Sequence, residues 1–122
     1  MRKLWEVKEK EWKAGNLYLQ LETSPSLQNV KAGERMLAHS DELSFIYILE
    51  QDDEFIYLAL PSSIWADLKM VMSDHSKVLL KGSEGVLELA SFEMELEYLI
   101  QNIEGNSNYG DEMVKEVEKV FL

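Results

Sequence analysis

The sequence predicts an α+β fold in which an antiparallel sheet of about six strands, arranged as three hairpins, packs against three helices, two of them C-terminal. Short apolar runs separated by turn-forming residues indicate the hairpins, and apolar residues at helical spacing indicate the helices. The chain has 122 residues, 46% of them hydrophobic, which is enough for one buried core. Residues 1–122 are therefore predicted to form a single domain.

The first hairpin is predicted over residues 4–13 and 17–22, joined by Ala14-Gly15-Asn16. Its second strand alternates leucines with polar residues, as a strand with one buried face does. Its first strand is less regular, because one alternating face holds both apolar and acidic residues: Trp5, Val7, Glu9 and Glu11. The outer face of this hairpin is therefore the least certain surface of the predicted sheet.

The second hairpin is predicted over residues 44–49 and 55–60, on either side of an acidic turn. Their nearly continuous apolar content is typical of strands that are central in a sheet or buried on both faces. Residues 23–33 contain serine, proline, asparagine and glycine and are predicted to form a loop, and residues 34–39 a further short strand.

A first helix is predicted to begin at Pro61-Ser62-Ser63 and to end near Ser73, because a serine can accept from the free amides of the first turn. The third hairpin follows, over residues 78–80 and 86–89. This order, with strands before and after a helix, favours α+β over alternating parallel units.

Ser91 is predicted to open a second helix, with Glu93 and Glu95 in its early turns, where carboxylates complement the helix dipole. A third helix is predicted over residues 111–121. Each has one apolar face suited to packing on the sheet.

The run NIEGNSNYGDE, residues 102–112, joins these two helices and invites interpretation as a ligand loop. Gly105 is placed to take the left-handed conformation that ends a helix, and Asn108 is placed to cap the next one, with Asp111 in its first turn. An EF-hand pattern fails, because its glycine and glutamate positions hold Tyr109 and Lys115. A structural connection is the better interpretation of this run.

The formal charge of −11 makes nucleic acid and anionic membrane poor partners, and the apolar runs are too short to span a bilayer. The chain has no cysteine and begins with alternating charges where an export signal would be apolar. A cytoplasmic location is therefore expected, with no nucleic-acid or membrane partner.

Catalytic and metal-binding chemistry has little support in the sequence. His39 and His75 fall in different elements, and His39-Ser40-Asp41 cannot form a triad from adjacent residues. The clusters Asp52-Asp53-Glu54 and Glu93, Glu95, Glu97 are interpreted as a solvated turn and a solvated helix face. No cofactor, metal site or catalytic residue is predicted, and the chain is more consistent with a binding protein than with an enzyme.

Four segments, SFIYILE, FIYLALP, ELEYLIQNIEGNSNYG and VEKVFL, carry a family resemblance. Together they resemble the small acidic YjbL-like proteins of Bacillus- and Staphylococcus-type bacteria, an uncharacterised family. The resemblance covers roughly residues 34–122 and is looser over the first hairpin. It implies a stand-alone cytoplasmic protein of Gram-positive bacteria, with no activity, cofactor or site to carry over.

The leading hypothesis is a non-enzymatic protein-interaction module, with self-association as a homodimer as one form of it, that uses a sheet edge or an acidic helix face. The candidate surface comprises Asn106, Asn108, Tyr109, Asp111, Trp12 and Tyr18. One alternative is a small-molecule-binding domain with a pocket between the strands around Tyr47 and Tyr57 and the 62–73 helix. Another is an enzyme that pairs Glu93 or Glu97 with Asp111.

Overall fold

A computed structural model describes residues 3–122 of the chain; residues 1 and 2 of the predicted domain lie outside that range. The described residues form three helices: α1 (Trp65–Asp74), α2 (Phe92–Ile103) and α3 (Asp111–Phe121). They also form seven strands: β1 (Lys3–Lys13), β2 (Asn16–Leu21), β3 (Val30–His39), β4 (Ser44–Gln51), β5 (Glu54–Pro61), β6 (Val78–Lys81) and β7 (Val86–Glu88). The α+β class is confirmed.

The seven strands form one curled sheet in the order β3-β4-β5-β1-β2-β6-β7. The three predicted hairpins are present as the antiparallel pairs β1–β2, β4–β5 and β6–β7. The expectation of an antiparallel sheet of about six strands was wrong, because β1 pairs with β5 and β2 pairs with β6 in parallel. Hairpins carry local turn signals, whereas these parallel pairs join distant segments, such as Lys3 with Ile56, and leave no such signal.

A bulge in β1 explains its irregular sequence pattern. The register with β2 shifts between Val7 and Glu9, so residues on either side of the bulge change their alternation. Val7 and then Trp12 consequently lie on the same face, opposite Leu21 and Leu17 of β2. This face of the sheet, here called the inner face, packs against the helices.

The strand β3 is longer than predicted, since it begins at Val30 within the expected loop. Its register with β4 shifts between Ala32 and Met36, and Glu34 there has a left-handed φ of 57°. A Cβ atom on Gly33 would lie 2.5 Å from the backbone oxygen of Ile48. Position 33 therefore requires glycine, because a side chain there would clash with the backbone of β4.

The inner face carries the main core. Trp65 of α1 stacks on Phe45 of β4, with ring centroids 4.3 Å apart, and Phe121 of α3 lies 6.0 Å from both rings. The opposite, outer face carries a smaller buried cluster formed by Ile46, Ile48 and Ala59. The two strands expected to be central or buried on both faces, β4 and β5, both lie inside the sheet, and residues 44–49 of β4 are all buried.

Candidate functional site

The strand β3 forms one edge of the sheet, because β4 is its one neighbour in the strand order. Helix α2 lies along this edge, and between them runs a groove of about 470 Å³, here called the β3–α2 groove. The groove is lined by Arg35, Met36, Leu37, Ala38, Glu95, Tyr98, Leu99, Asn102 and Tyr109. Half of the backbone amides and carbonyls of an edge strand point away from its neighbour, so an edge can pair with another extended chain.

The helix wall of the groove is a single stripe of side chains. Glu95, Tyr98, Leu99 and Asn102 follow the i, i+3, i+4, i+7 spacing of one helix face. Leu99 is buried, whereas the Tyr98 side chain is 65% exposed. Tyr109 comes from the 3₁₀ turn Ser107–Tyr109 that follows α2 and is half-buried. The wall therefore offers two aromatic rings and an amide to an occupant.

One end of the groove is tied to the sheet. The hydroxyl of Ser91, just before α2, donates to Oε1 of Glu34 in the β3 bulge at 2.7 Å. Ser91 does open α2 as predicted, but its side chain makes no cap hydrogen bond. This contact holds the start of α2 against β3, and Glu95 lies one helical turn further along.

The hydroxyl of Tyr47 lies close to these carboxylates. It donates to the backbone oxygen of Ala90 at 2.6 Å. Burial raises the pKa of Tyr47 above its usual range; a hydrogen-bond contact with the Glu34 backbone opposes this increase, and the carboxylates of Glu34, Glu95 and Glu88 add smaller increases. Glu95 lines the groove and Glu34 contacts Ser91 one helical turn before it, so two carboxylates border this end of the groove.

The loop between α2 and α3 makes its own hydrogen bonds. Gly105 has a φ of 64°, which confirms its predicted left-handed conformation, and its amide donates to Oε2 of Glu118 at 2.9 Å. Asn106 accepts from the Asn108 amide at 3.0 Å and donates to the Asn102 oxygen at 3.2 Å. The prediction that Asn108 caps α3 was wrong: Gly110 precedes the helix, and Asn106 caps the 3₁₀ turn instead.

The six residues of the predicted surface do not form one site. Tyr109 lines the β3–α2 groove, whereas Asn106 is a structural member of the loop and Asn108 and Asp111 are exposed. Trp12 and Tyr18 lie on opposite faces of the sheet.

Trp12 packs against the core and connects the sheet to α1. Its ring nitrogen donates to Oδ1 of Asp67 at 2.9 Å, and Lys10 pairs with Oδ2 of the same carboxylate. Asp67 is buried, with 8% of its surface exposed. The two partners of Asp67 both come from the inner face of β1 beyond its bulge.

Of the carboxylates proposed for an enzyme, one pairs with a histidine and two are exposed. Glu93 contacts His75 at 2.8 Å, and Glu97 and Asp111 are exposed. Among residues 3–122, no group of three or more His, Asp or Glu side chains is arranged to hold a metal ion. No helix in the described part of the chain is long and apolar enough to cross a membrane.

The pocket expected between Tyr47, Tyr57 and the first helix is filled. Tyr47 is fully buried on the inner face, and Trp65 stacked on Phe45 occupies the space under α1. Tyr57 lies on the outer face, where a separate hollow of about 380 Å³ is lined by Lys3, Leu4, Leu37, Ala38, His39, Ile46 and Tyr57. A small-molecule site is therefore considered at this outer-face hollow and not under α1.

Comparisons with known proteins give a family. The family described as "Family of unknown function (UPF0738)" matches residues 5–121. A UPF0738 protein of Geobacillus sp. (strain WCH70) is 42% identical over 123 residues, covering 100% of this chain and 99% of the relative. A UPF0738 protein of Bacillus cytotoxicus is 42% identical over 100 residues, covering 82% of this chain and 81% of the relative. One of Geobacillus kaustophilus is 40% identical over 123 residues, covering 100% and 98%. No solved structure matches the chain.

These matches confirm the expected uncharacterised family of Bacillus-type bacteria. The YjbL-like label stays an expectation, and the relatives' names assign no activity, ligand or partner. The family match includes 117 of the 122 residues. The chain belongs to the UPF0738 family of unknown function, which occurs in Gram-positive Bacillus and Geobacillus species.

Proposed function

We propose that the protein is a non-enzymatic, cytoplasmic interaction module that binds an extended segment of a partner protein as an added strand on β3. The observation that carries this proposal is that the unpaired side of β3 borders a groove whose other wall is α2. Strand addition supplies affinity through backbone hydrogen bonds, and pockets beside the edge select the side chains.

Two properties of the groove support an extended occupant. The segment of β3 that lines it, residues 35–38, follows the bulge and pairs with β4 only on one side. Tyr98 is largely exposed on a helix whose other aromatic, Phe92, is buried. An aromatic side chain at the rim of a sheet edge is the type of residue that contributes most to binding when a partner covers it.

A second copy of the chain is the competing occupant of the same edge. Two β3 strands could pair across a twofold axis, as the homodimer hypothesis requires. Each copy carries a formal charge of −11, which opposes association of identical subunits. Light scattering across protein concentrations distinguishes the two: a dimer that Tyr98→Ala dissociates would assign the edge to self-association and contradict a foreign partner.

The proposal is tested with peptides from a random dodecapeptide phage library selected on the immobilised protein. We expect enriched peptides to slow amide hydrogen exchange in residues 35–39 and to lose affinity for Tyr98→Ala. The matched control is Met70→Ala, because Met70 is similarly exposed, at 53%, but lies on α1. Binding that is equal in both variants, or protection that maps to another strand, would refute the assignment.

Backbone pairing has a specific chemical test. In an added strand, alternate amides bond to the edge and the intervening amides face away. Methylating single peptide nitrogens should therefore abolish binding at every second position and leave the others nearly unchanged. A loss of affinity without this period of two would show that the peptide is bound in another conformation.

The outer-face hollow supports a second candidate function, binding of a small apolar molecule. Its volume of about 380 Å³ lies within the range of ligand pockets, and Leu4 at its rim is 66% exposed. Titration with an apolar fluorescent dye tests it. Weaker dye binding to Leu4→Glu than to Met94→Glu, the exposed control, would favour this candidate. Equal dye binding in both variants would remove it.

A further inference from the structure

We infer that the partner segment carries a Lys or Arg side chain and, two residues away on the same face of the strand, an aromatic or large aliphatic side chain. The inference rests on the proposed function, since it assigns the chemistry of the segment that β3 binds. It follows from the charge at one end of the β3–α2 groove, the rings along its wall and the distance between them.

Glu95 lines the groove and Glu34 borders its start, where it contacts Ser91. Glu34 and Glu95 make no ion pair with any residue in the range 3–122. The whole of α2, FEMELEYLIQNI, contains no lysine or arginine. Glu95 lines the groove, so a cationic side chain that enters it would be attracted to a carboxylate that has no other ion-pair partner among these residues.

Arg35, the cation that lines the groove within the described part of the chain, interacts with an aromatic ring instead. The guanidinium of Arg35 lies 5.5 Å from the centre of the Phe55 ring. Phe55 precedes Ile56, which faces the core, so the alternation of β5 places Phe55 on the outer face. Arg35 therefore does not neutralise Glu95, and a cationic side chain from a partner is the missing counterpart.

The apolar part of the groove lies one helical turn beyond Glu95. Tyr98 and Tyr109 form its rim, and the buried side chains of Met36 and Leu99 form its base. A side chain that enters here is in contact with two rings and loses apolar surface to water. Asn102, at the far end of the stripe, is left for a polar group.

The spacing of these two parts fits an extended chain. Residues 95 and 98–99 are separated along the helix axis by roughly 4.5–6 Å, at 1.5 Å per residue. Residues i and i+2 of a strand project to the same face and lie roughly 6.5 Å apart. A cation and an apolar side chain separated by one residue can therefore reach Glu95 and Tyr98 together, in either strand direction.

The test uses three synthetic peptides in a threonine-rich host: Lys-x-Phe, a sequence isomer in which Lys and Phe are adjacent, and Glu-x-Phe. Affinities are measured by fluorescence anisotropy at low and high salt. We expect Lys-x-Phe to bind about tenfold more tightly than its isomer, because adjacent residues point to opposite faces. Glu-x-Phe should bind most weakly, and the preference for Lys should decrease with salt.

Variants of α2 locate the preference. Glu95→Gln should remove most of the advantage of Lys over Glu, whereas Glu97→Gln, which changes the net charge equally on an exposed position outside the groove, should retain it. A Lys preference that is unchanged in Glu95→Gln would overturn the inference. If the peptides protect β3 but show no preference for Lys, the inference fails and the proposed function stands. If no selected or synthetic peptide binds β3, both fail.

Discussion

Removal of the Asp67 carboxylate should destabilise the fold measurably, because this side chain connects α1 to β1. In Asp67→Ala the ring nitrogen of Trp12 loses an acceptor at 2.9 Å in a part-buried position. A hydrogen bond to a charged group contributes about 1.5–3 kcal/mol. The ion pair with Lys10 adds less, about 0.5 kcal/mol, because the Lys10 side chain is 43% exposed and can be rehydrated.

The two contributions together predict a loss of about 2–3.5 kcal/mol in the free energy of unfolding. With a urea dependence of about 2 kcal/mol per molar, the unfolding midpoint should fall by roughly 1–1.8 M. Asp67→Asn keeps an oxygen for Trp12 and loses the charge, so its effect should be smaller than that of alanine. Far-UV circular dichroism is the appropriate readout, because it does not depend on Trp12 fluorescence.

A double-mutant cycle with Trp12→Phe isolates the hydrogen bond. We expect a coupling free energy of about 1–2 kcal/mol between the two positions. Asp74→Ala is the control, since Asp74 is an exposed carboxylate at the end of the same helix, and it should leave the midpoint nearly unchanged. The reasoning is refuted if Asp67→Ala shifts the midpoint no more than Asp74→Ala, or if the coupling is zero.

Three further predictions concern other parts of the molecule. The pKa of Tyr47 is raised in the folded protein, so the unfolded chain releases this proton first as pH rises past about 10. The free energy of unfolding should therefore decrease above that pH. Urea titrations at pH 8 and 10.5 should show a smaller decrease for Tyr47→Phe than for the unchanged protein. Gly33→Ala places a Cβ 2.5 Å from the oxygen of Ile48 and should lower the melting temperature more than Gly15→Ala. Gly15 has a positive φ but open space around it, so its substitution should cost about 1 kcal/mol in the free energy of unfolding. Equal decreases in melting temperature would contradict this. Tyr98→Ala should change the free energy of unfolding by less than about 0.5 kcal/mol while it weakens peptide binding, because its side chain is mostly exposed.

The sequence was sufficient for the elements whose signals are local. Helix α3 has the predicted bounds, and the hairpin β4–β5 follows from two apolar runs around an acidic turn. The left-handed Gly105 was also predictable, because a glycine after the last apolar turn of a helix has few other roles.

The misassigned features depend on contacts between distant segments. The parallel pairing of β1 with β5 is formed by residues about fifty positions apart, so no turn sequence between the two strands indicates it. Trp12 was assigned to a candidate surface, because the bulge after Val7 that turns it inward is not visible in a simple alternation. Asn108 does not cap α3, because a 3₁₀ turn that Asn106 caps lies between the two helices and Gly110 precedes α3.

The sequence predicted the types of surface that form the β3–α2 groove, but not the elements that supply them. A free sheet edge and an acidic helix face were both expected, and Tyr109 was among the candidate residues. Which strand forms the edge, and which helix lies beside it, follow from the strand order and from the contact between Ser91 and Glu34. Neither is encoded in the spacing of nearby residues.

Isotope-filtered NMR of the protein in complex with a selected peptide tests the central claim most directly. If the peptide adds to the sheet, short cross-strand proton contacts will connect its backbone with residues 35–39 of β3, and its alternate side chains will contact Tyr98. Contacts confined to the outer face, or contacts from β3 of one protein molecule to β3 of another in the absence of peptide, would contradict it.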